Sequence, residues 1–299
     1  MNSIYEELCN FTDEKNIYEN EDMKSHVTFR AGGKARYFVT PESNEELGKL
    51  ISYVSNNNIK YFVMGNGSNL LFKDEGFDGV VIKIGKPFSE IRVNGDEIYC
   101  GAGALLSKVA SAAYDNSLTG FEFAAGIPGF IGGAVAMNAG AYGGEFKDVV
   151  VKVFAVDSDG KNVEFDNSQM EFSYRTSAIQ NNNYIVTGAL IKLRNGNKTE
   201  ILEEMNRLMT ARKEKQPLEF PSAGSTFKRP EGYFAGKLIM DAGLRGYSVG
   251  DACVSEKHCG FVINKGNATA SDIIKLIENV SDIVFEKFGV RLETEVKII

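Results

Sequence analysis

From Ser43 onward the apolar positions Leu47, Leu50, Ile51 and Val54 recur at helical spacing behind a capping-box pair, Ser43 with Glu46. The pattern predicts a helix ending near Asn56-Asn57-Asn58. The apolar run Tyr61-Phe62-Val63-Met64 then predicts a short buried strand that delivers the chain into GNGSN, residues 65–69. Alternating stretches around Asn94-Gly95, within residues 91–99, and around Asp159-Gly160, within residues 149–165, predict two antiparallel hairpins. Between them Leu105, Val109 and Ala112 mark a helical face, followed by AAGIPGFIGGAVAMNAGAYGG, which is too apolar for an ordinary loop.

Past residue 184 a strand-like stretch leads to Asn195-Gly196-Asn197, and Ile201, Leu202, Met205, Leu208 and Met209 then line one face of a helix. We place a boundary there: residues 1–195, with an N-terminal lead, form one region and residues 196–299 a second. The second continues through a loop bearing Pro217, Pro221 and Pro230 and a short helix around Leu238 and Ile239 closed by Gly243. A strand at 260–264 follows, then a long helix on Ile273, Ile277, Val280, Val284 and Phe288, and a final strand at 295–299. Helices and strands mix without steady βαβ alternation and without repeats, so the fold class is α+β.

Composition narrows the function. With 40 acidic against 33 basic residues in 299, no global field draws in nucleic acid or an anionic membrane, so an anionic ligand must be held locally. Four cysteines and two histidines show no metal-binding spacing, so no metal site is expected. The start lacks an export-signal pattern and no apolar run is long enough for a bilayer, which predicts a soluble, cytoplasmic protein with reduced thiols.

GNGSN offers consecutive backbone N–H groups at two glycines, with Ser68 and Asn69 as polar donors, and could cradle a pyrophosphate or form a tight turn. The run 126–144 would let backbone approach a flat ligand, or pack a helix closely on a strand. GAGALL, residues 101–106, lacks the third glycine of a dinucleotide fingerprint and reads as a structural turn. His258 and Cys259 are adjacent and read as a local contact rather than a nucleophile with its base. Arg175 in FSYRTS is a fixed cation, Ser225 in SAGSTFKRP follows a glycine, and Glu295 in LETEVKII is flanked by apolar residues. Each has an ordinary reading as well: a surface arginine, a turn serine and an exposed strand face.

Taken in order, TFRAGG, GNGSNLL, AGIPGFIGGAVAMNAGAYG, FSYRTS, QPLEFPSAGSTFKRP and AGLRG followed by SEKHCGFVIN resemble the UDP-N-acetylenolpyruvoylglucosamine reductase family across nearly the whole chain. The resemblance implies an FAD-binding domain of the vanillyl-alcohol-oxidase type followed by a smaller α+β substrate domain. It implies reduction of a UDP-sugar enolpyruvyl ether with NADPH as electron donor, in peptidoglycan precursor synthesis. It assigns the FAD pyrophosphate to Gly65, Asn66, Gly67, Ser68 and Asn69. The second run would contribute Ile127, Pro128, Gly129, Gly132, Gly133, Ala134, Asn138 and Ala139.

GNGSN has no histidine, so the flavin is expected to be noncovalent. By resemblance Ser225 is the proton donor, Arg175 and Glu295 stabilise the intermediate, Lys215 contacts the substrate diphosphate and Tyr174 lines the substrate site. The short stretch between Arg175 and residue 184 resembles the family's second type. An oxidase of the same flavin fold and a nonenzymatic sugar-nucleotide module are the rival readings. No nucleic-acid, membrane or obligate protein partner is expected.

Overall fold

The computed structural model describes residues 4–299. The chain forms two compact units, each discontinuous in sequence: one of residues up to Glu19, Tyr37–Asn66 and Gly79–Ala211, the other of Asn20–Arg36, Gly67–Asp78 and Arg212–Ile299.

The first unit is built on a five-stranded antiparallel sheet in the order Asn162–Asp166, Val150–Val156, Ile185–Lys192, Glu97–Gly101, Ile91–Asn94. Both expected hairpins are in it. Gly95 and Gly160, at φ +61° and +78°, make the tight reversals that a side chain would disfavour. The central strand, Ile185–Lys192, is buried along most of its length, and the short helix Ile131–Ala136 packs on it. Tyr61–Met64 forms the expected strand, although only Met64 is buried and the other three are half-buried, and it pairs in parallel with Phe77–Lys83, Tyr61 opposite Val80. The helix Asn44–Asn56 buries Leu47, Leu50, Ile51 and Val54 as its spacing predicts. Ser43 Oγ accepts from Glu46 N–H at 3.1 Å, but the Glu46 carboxylate accepts from Glu42 N–H and Thr12 instead of closing a capping box.

The helix Leu106–Asp115 is present with a different phase: it buries Leu106, Val109, Ala110 and Ala113, whereas Leu105 is exposed. Leu105 sits at the N-cap and bridges Phe130, so it does not continue the helical face. GAGALL is a structural turn. A Cβ on Gly101 or Gly103 would lie about 2 Å from the carbonyl oxygens of Phe88 and Gly85, so these glycines answer to neighbouring backbone.

The expected linker is not free either. Arg194 and Asn195 pair antiparallel with Thr119 and Leu118, and the helix Lys198–Lys215 runs on from there. The chain changes unit at Arg212 rather than at Asn195-Gly196-Asn197.

The second unit packs the helix Ala270–Phe288 on a three-stranded meander, Ser248–Val249, Ala252–Val254 and Val262–Asn264. That helix has a complete capping box, Thr269 with Asp272, and a left-handed Gly289 at its C-terminal end. It buries Ile273, Leu276, Ile277, Val280 and Val284, while Phe288 stays largely exposed. TFRAGG is woven into this core: Phe29 and Ala31 are fully buried, and Asn264 Nδ2 donates to the Phe29 carbonyl at 3.0 Å. The last strand is shorter than expected, Lys297–Ile298, and pairs in parallel with Leu70–Leu71. Glu295 therefore precedes the strand.

Candidate active site

In the second unit, residues 225–228 run between two stretches of backbone. Thr226 N–H donates to Gly260 O at 2.8 Å, and the Thr226 hydroxyl accepts from Val262 N–H at 2.9 Å. On the other side Phe227 bridges Thr294, and Glu295 N–H donates to Thr226 O at 2.8 Å. Ser225 and Glu295 thus lie on adjacent extended segments, next to the Phe227–Thr294 bridge, with Ser225 exposed and Glu295 partly exposed. Gly224, at φ +75° with open space where a Cβ would go, carries the chain into Ser225.

Asn69, in the same unit, reaches this arrangement from the sequence's other end. Asn69 Nδ2 donates to the Glu295 carbonyl at 3.0 Å, and Lys297 N–H donates to Asn69 O at 3.0 Å. The Asn69 side chain thereby fixes the backbone of Glu295. Gly67, at φ +68°, lies so close to His26 that a Cβ would be 2.0 Å from the His26 carbonyl, and its own carbonyl accepts from Thr28 N–H. Beside that bond the Thr28 hydroxyl is buried with no hydrogen-bond partner among the described residues. An orphan hydroxyl costs about 1–3 kcal/mol, which a ligand oxygen at the loop would recover. The sequence reading passed over Thr28, although TFRAGG carried the only signal for it.

In the first unit, Gly65 and Asn66 leave the strand Tyr61–Met64, with Gly65 facing the Phe130 ring. Residues 129–132 are pinned to 102–106 by backbone bonds: Leu106 N–H to Gly129 O, Ile131 N–H to Ala104 O and Gly132 N–H to Ala102 O. Ile127 and Pro128 lead into this stretch, and Ala139 closes it by donating to Ala134 O at 2.8 Å. Gly132 has an internal reason to be glycine, since a Cβ would meet the Ala102 methyl at 3.1 Å. Gly133 has none: it is exposed, helical, and nothing lies within 4 Å of its Cβ position. Glycine there costs about 0.5–1 kcal/mol relative to alanine, and room for a ligand offsets that cost.

Gly133→Ala is accordingly expected to stabilise the deflavinated protein by about 0.5–1 kcal/mol while weakening FAD binding about tenfold, read by thermal unfolding and by flavin titration. Unchanged FAD affinity would remove Gly133 from the cofactor surface.

Arg175 occupies the second position of a two-residue turn in which Ser173 and Thr176 exchange backbone hydrogen bonds. Its φ of +57° is left-handed, a strained conformation for a residue with a side chain. The guanidinium lies 5.0 Å from the centre of the Tyr174 ring, and Tyr174 is exposed. Asn138, 1% exposed, spends both amide hydrogens on protein: Nδ2 donates to Glu145 Oε2 at 2.9 Å and to Ser173 O at 3.1 Å. Its Oδ1 accepts from Lys147 N–H. The Glu145 carboxyl is held below its usual range, first by its hydrogen bond from Lys147, against a smaller desolvation cost, then by Asn138 and the charges of Lys147 and Arg175. Lys215 ends the helix Lys198–Lys215 and is exposed.

The remaining titratable groups do not compete for the chemistry. Burial pushes the Cys259 thiol up and the His258 imidazole down, so both are driven toward their neutral forms, and His258 Nδ1 accepts from Gly260 N–H. That is the opposite of a thiolate–imidazolium pair. Burial also pushes the Cys100 thiol up to about 12. Among the described residues, no group of three or more His, Cys, Asp or Glu side chains could hold a metal ion.

Comparison with known proteins finds two families along the chain. Residues 35–166 match the FAD binding domain family, and residues 216–299 match the family described as UDP-N-acetylenolpyruvoylglucosamine reductase, C-terminal domain. A protein named UDP-N-acetylenolpyruvoylglucosamine reductase from Caldanaerobacter subterraneus subsp. tengcongensis is 51% identical over 99% of this chain and 98% of its own. One of the same name from Clostridioides difficile is 50% identical over 99% and 97%. Among solved structures, the UDP-N-acetylenolpyruvylglucosamine reductase of Thermus caldophilus superposes with a TM-score of 0.81 at 37% identity, covering 93% of this chain and 97% of that one. Phl p 4.0202, a glucose dehydrogenase, shares the fold alone, with a TM-score of 0.52 at 13% identity over 97% of this chain and 64% of its own.

Fold and site together define an FAD-binding oxidoreductase of α+β class, with a flavin domain and a distinct C-terminal domain. More narrowly, the chain belongs to the UDP-N-acetylenolpyruvoylglucosamine reductase family.

Proposed function

We propose that Ser225, Glu295 and Arg175 carry the substrate half of the reaction, with Lys215 and Tyr174 binding the substrate. The chain is an FAD-dependent reductase that uses NADPH to convert UDP-N-acetylglucosamine enolpyruvate to UDP-N-acetylmuramate in peptidoglycan precursor synthesis. The observation that supports the pairing of Ser225 with Glu295 is the hydrogen-bonded sequence Thr226–Glu295–Asn69, which holds the segment next to Ser225 against the backbone of Glu295 and Glu295 against Asn69.

When bound and reduced by NADPH, FAD would supply the hydride equivalent that adds to the terminal methylene carbon of the enolpyruvyl group. Negative charge then develops on the neighbouring carbon and its carboxylate, and the protein's residues answer that charge. Arg175 brings a cation that does not titrate away. Ser225 is a weak acid in water, but a carbanion-like centre is a strong base, so a hydroxyl at hydrogen-bond reach delivers the proton. Glu295 orients or stabilises the same centre. Lys215 offers an exposed ammonium to a diphosphate, and Tyr174 an exposed ring to the sugar nucleotide.

The GNGSN and 126–139 segments contribute to the flavin surface, supported by the orphan Thr28 hydroxyl and the open Gly133. The enzyme works in the cytoplasm, supported by four free cysteines and by the absence, among the described residues, of any helix long and apolar enough to cross a membrane.

The protein should purify yellow and release its flavin intact on denaturation, and anaerobic stopped-flow is then the test. NADPH should bleach the flavin, and the enolpyruvyl nucleotide should restore its colour far faster than oxygen does. Lys215→Ala should raise the nucleotide concentration needed for half-maximal reoxidation about tenfold and leave reduction by NADPH within twofold. Rapid reoxidation by oxygen alone would favour an oxidase, and equal losses in both steps would remove Lys215 from the diphosphate site.

A further inference from the structure

We propose that Gln180 is a positioning residue for Arg175, fastening the strained turn to the backbone that ends the glycine-rich helix. The inference rests on the role given to Arg175 above. A left-handed arginine persists only where its surroundings over-determine it, and the surroundings here are specific. Gln180 Nε2 donates to Arg175 O at 3.2 Å and to Ala136 O at 2.7 Å. The Ser177 hydroxyl, fully buried, donates to the same Ala136 carbonyl at 2.8 Å. Asn138 holds the other side of the turn through Ser173 O.

Ala136 is the last residue of the helix Ile131–Ala136, so its carbonyl is one of the acceptors a helix end leaves without an internal partner. Two side chains from the 177–180 segment fill both of its lone pairs. Gln180 is therefore a two-ended clamp, with one amide hydrogen on the helix that carries Gly133 and one on the carbonyl of Arg175. Its sequence position gives no hint of this. It lies on the four-residue helix Ala178–Asn181, in the stretch that read as a short connection.

The clamp predicts a selective defect. Gln180→Met keeps the side chain's length and removes both donors. Reduction by NADPH should stay within about twofold of wild type, while reoxidation by the enolpyruvyl nucleotide slows about tenfold. Gln180→Lys keeps a donor for the two carbonyls and should recover most of the rate. In an Arg175→Ala background, Gln180→Met should cost less than about twofold more, because the two residues act through one interaction.

A readout independent of turnover is amide exchange at Ser173 and Thr176, which should quicken about tenfold in Gln180→Met as the turn loosens. Equal slowing of both half-reactions, normal reoxidation beside a slow Arg175→Ala, or full additivity with Arg175→Ala overturns the clamp. If Arg175→Ala itself reoxidises normally, the reading of the site fails instead. Should Gln180→Met not fold, Gln180→Glu, which keeps volume and polarity but loses both donors, is held to the same outcomes.

Discussion

Ser225→Ala is expected to accept electrons from NADPH at a near wild-type rate and to reoxidise with the enolpyruvyl nucleotide about a hundredfold to ten-thousandfold more slowly. The two half-reactions differ in what they ask of the protein. Flavin reduction needs no proton at the enolpyruvyl carbon, whereas product formation does, and a positioned acid is what the substitution removes. The fold should tolerate the change. Ser225 is exposed, and the neighbouring contacts that hold this segment belong to Thr226 and Phe227. Ser225→Cys keeps a transferable proton and should retain more activity than alanine. Circular dichroism and flavin content establish that the variant is folded and loaded, and anaerobic stopped-flow then reads each step alone. A Ser225→Ala protein that reoxidises at the wild-type rate would return Ser225 to the role of an ordinary turn residue.

The second large effect separates stability from activity at Arg175. In the left-handed region a side chain costs about 1–2 kcal/mol that glycine does not pay. Arg175→Gly should therefore unfold at the same or higher denaturant concentration than wild type, by up to about 1 kcal/mol, while reoxidation falls about a hundredfold to a thousandfold. Arg175→Lys restores charge without the planar fork and should lie between. Arg175→Ala loses activity as glycine does but keeps the strained backbone, so it should gain no stability. Chemical denaturation and single-turnover reoxidation on the same preparations check both halves. A destabilised Arg175→Gly that still reoxidises normally would show that the arginine is structural and the strain unrelated to the reaction.

Local pattern alone predicted the helix at Asn44–Asn56, the strand at Tyr61–Met64, both hairpins and the long helix Ala270–Phe288, because each is specified by neighbours a few residues apart. The family was legible for a related reason. Six blocks in order identify it even where no single block would, and residues 35–166 and 216–299 bear that out.

Tertiary structure decided what local pattern does not encode. The phase of the helix Leu106–Asp115 was set by the Leu105–Phe130 bridge, and the expected linker was drawn into pairing with residues 118–119. Residues 20–36 and 67–78 joined the C-terminal unit, where amide side chains donate to backbone carbonyls far along the chain, Asn69 to Glu295 and Asn264 to Phe29. Asn69 and Asn138, which the resemblance assigns to the cofactor, also donate from their amides to the backbone carbonyls of Glu295 and Ser173. An amide side chain reads the same in sequence whether it meets a ligand or a carbonyl. Which one it meets depends on what the rest of the fold brings within 3 Å, and that is fixed by packing between segments with no common period.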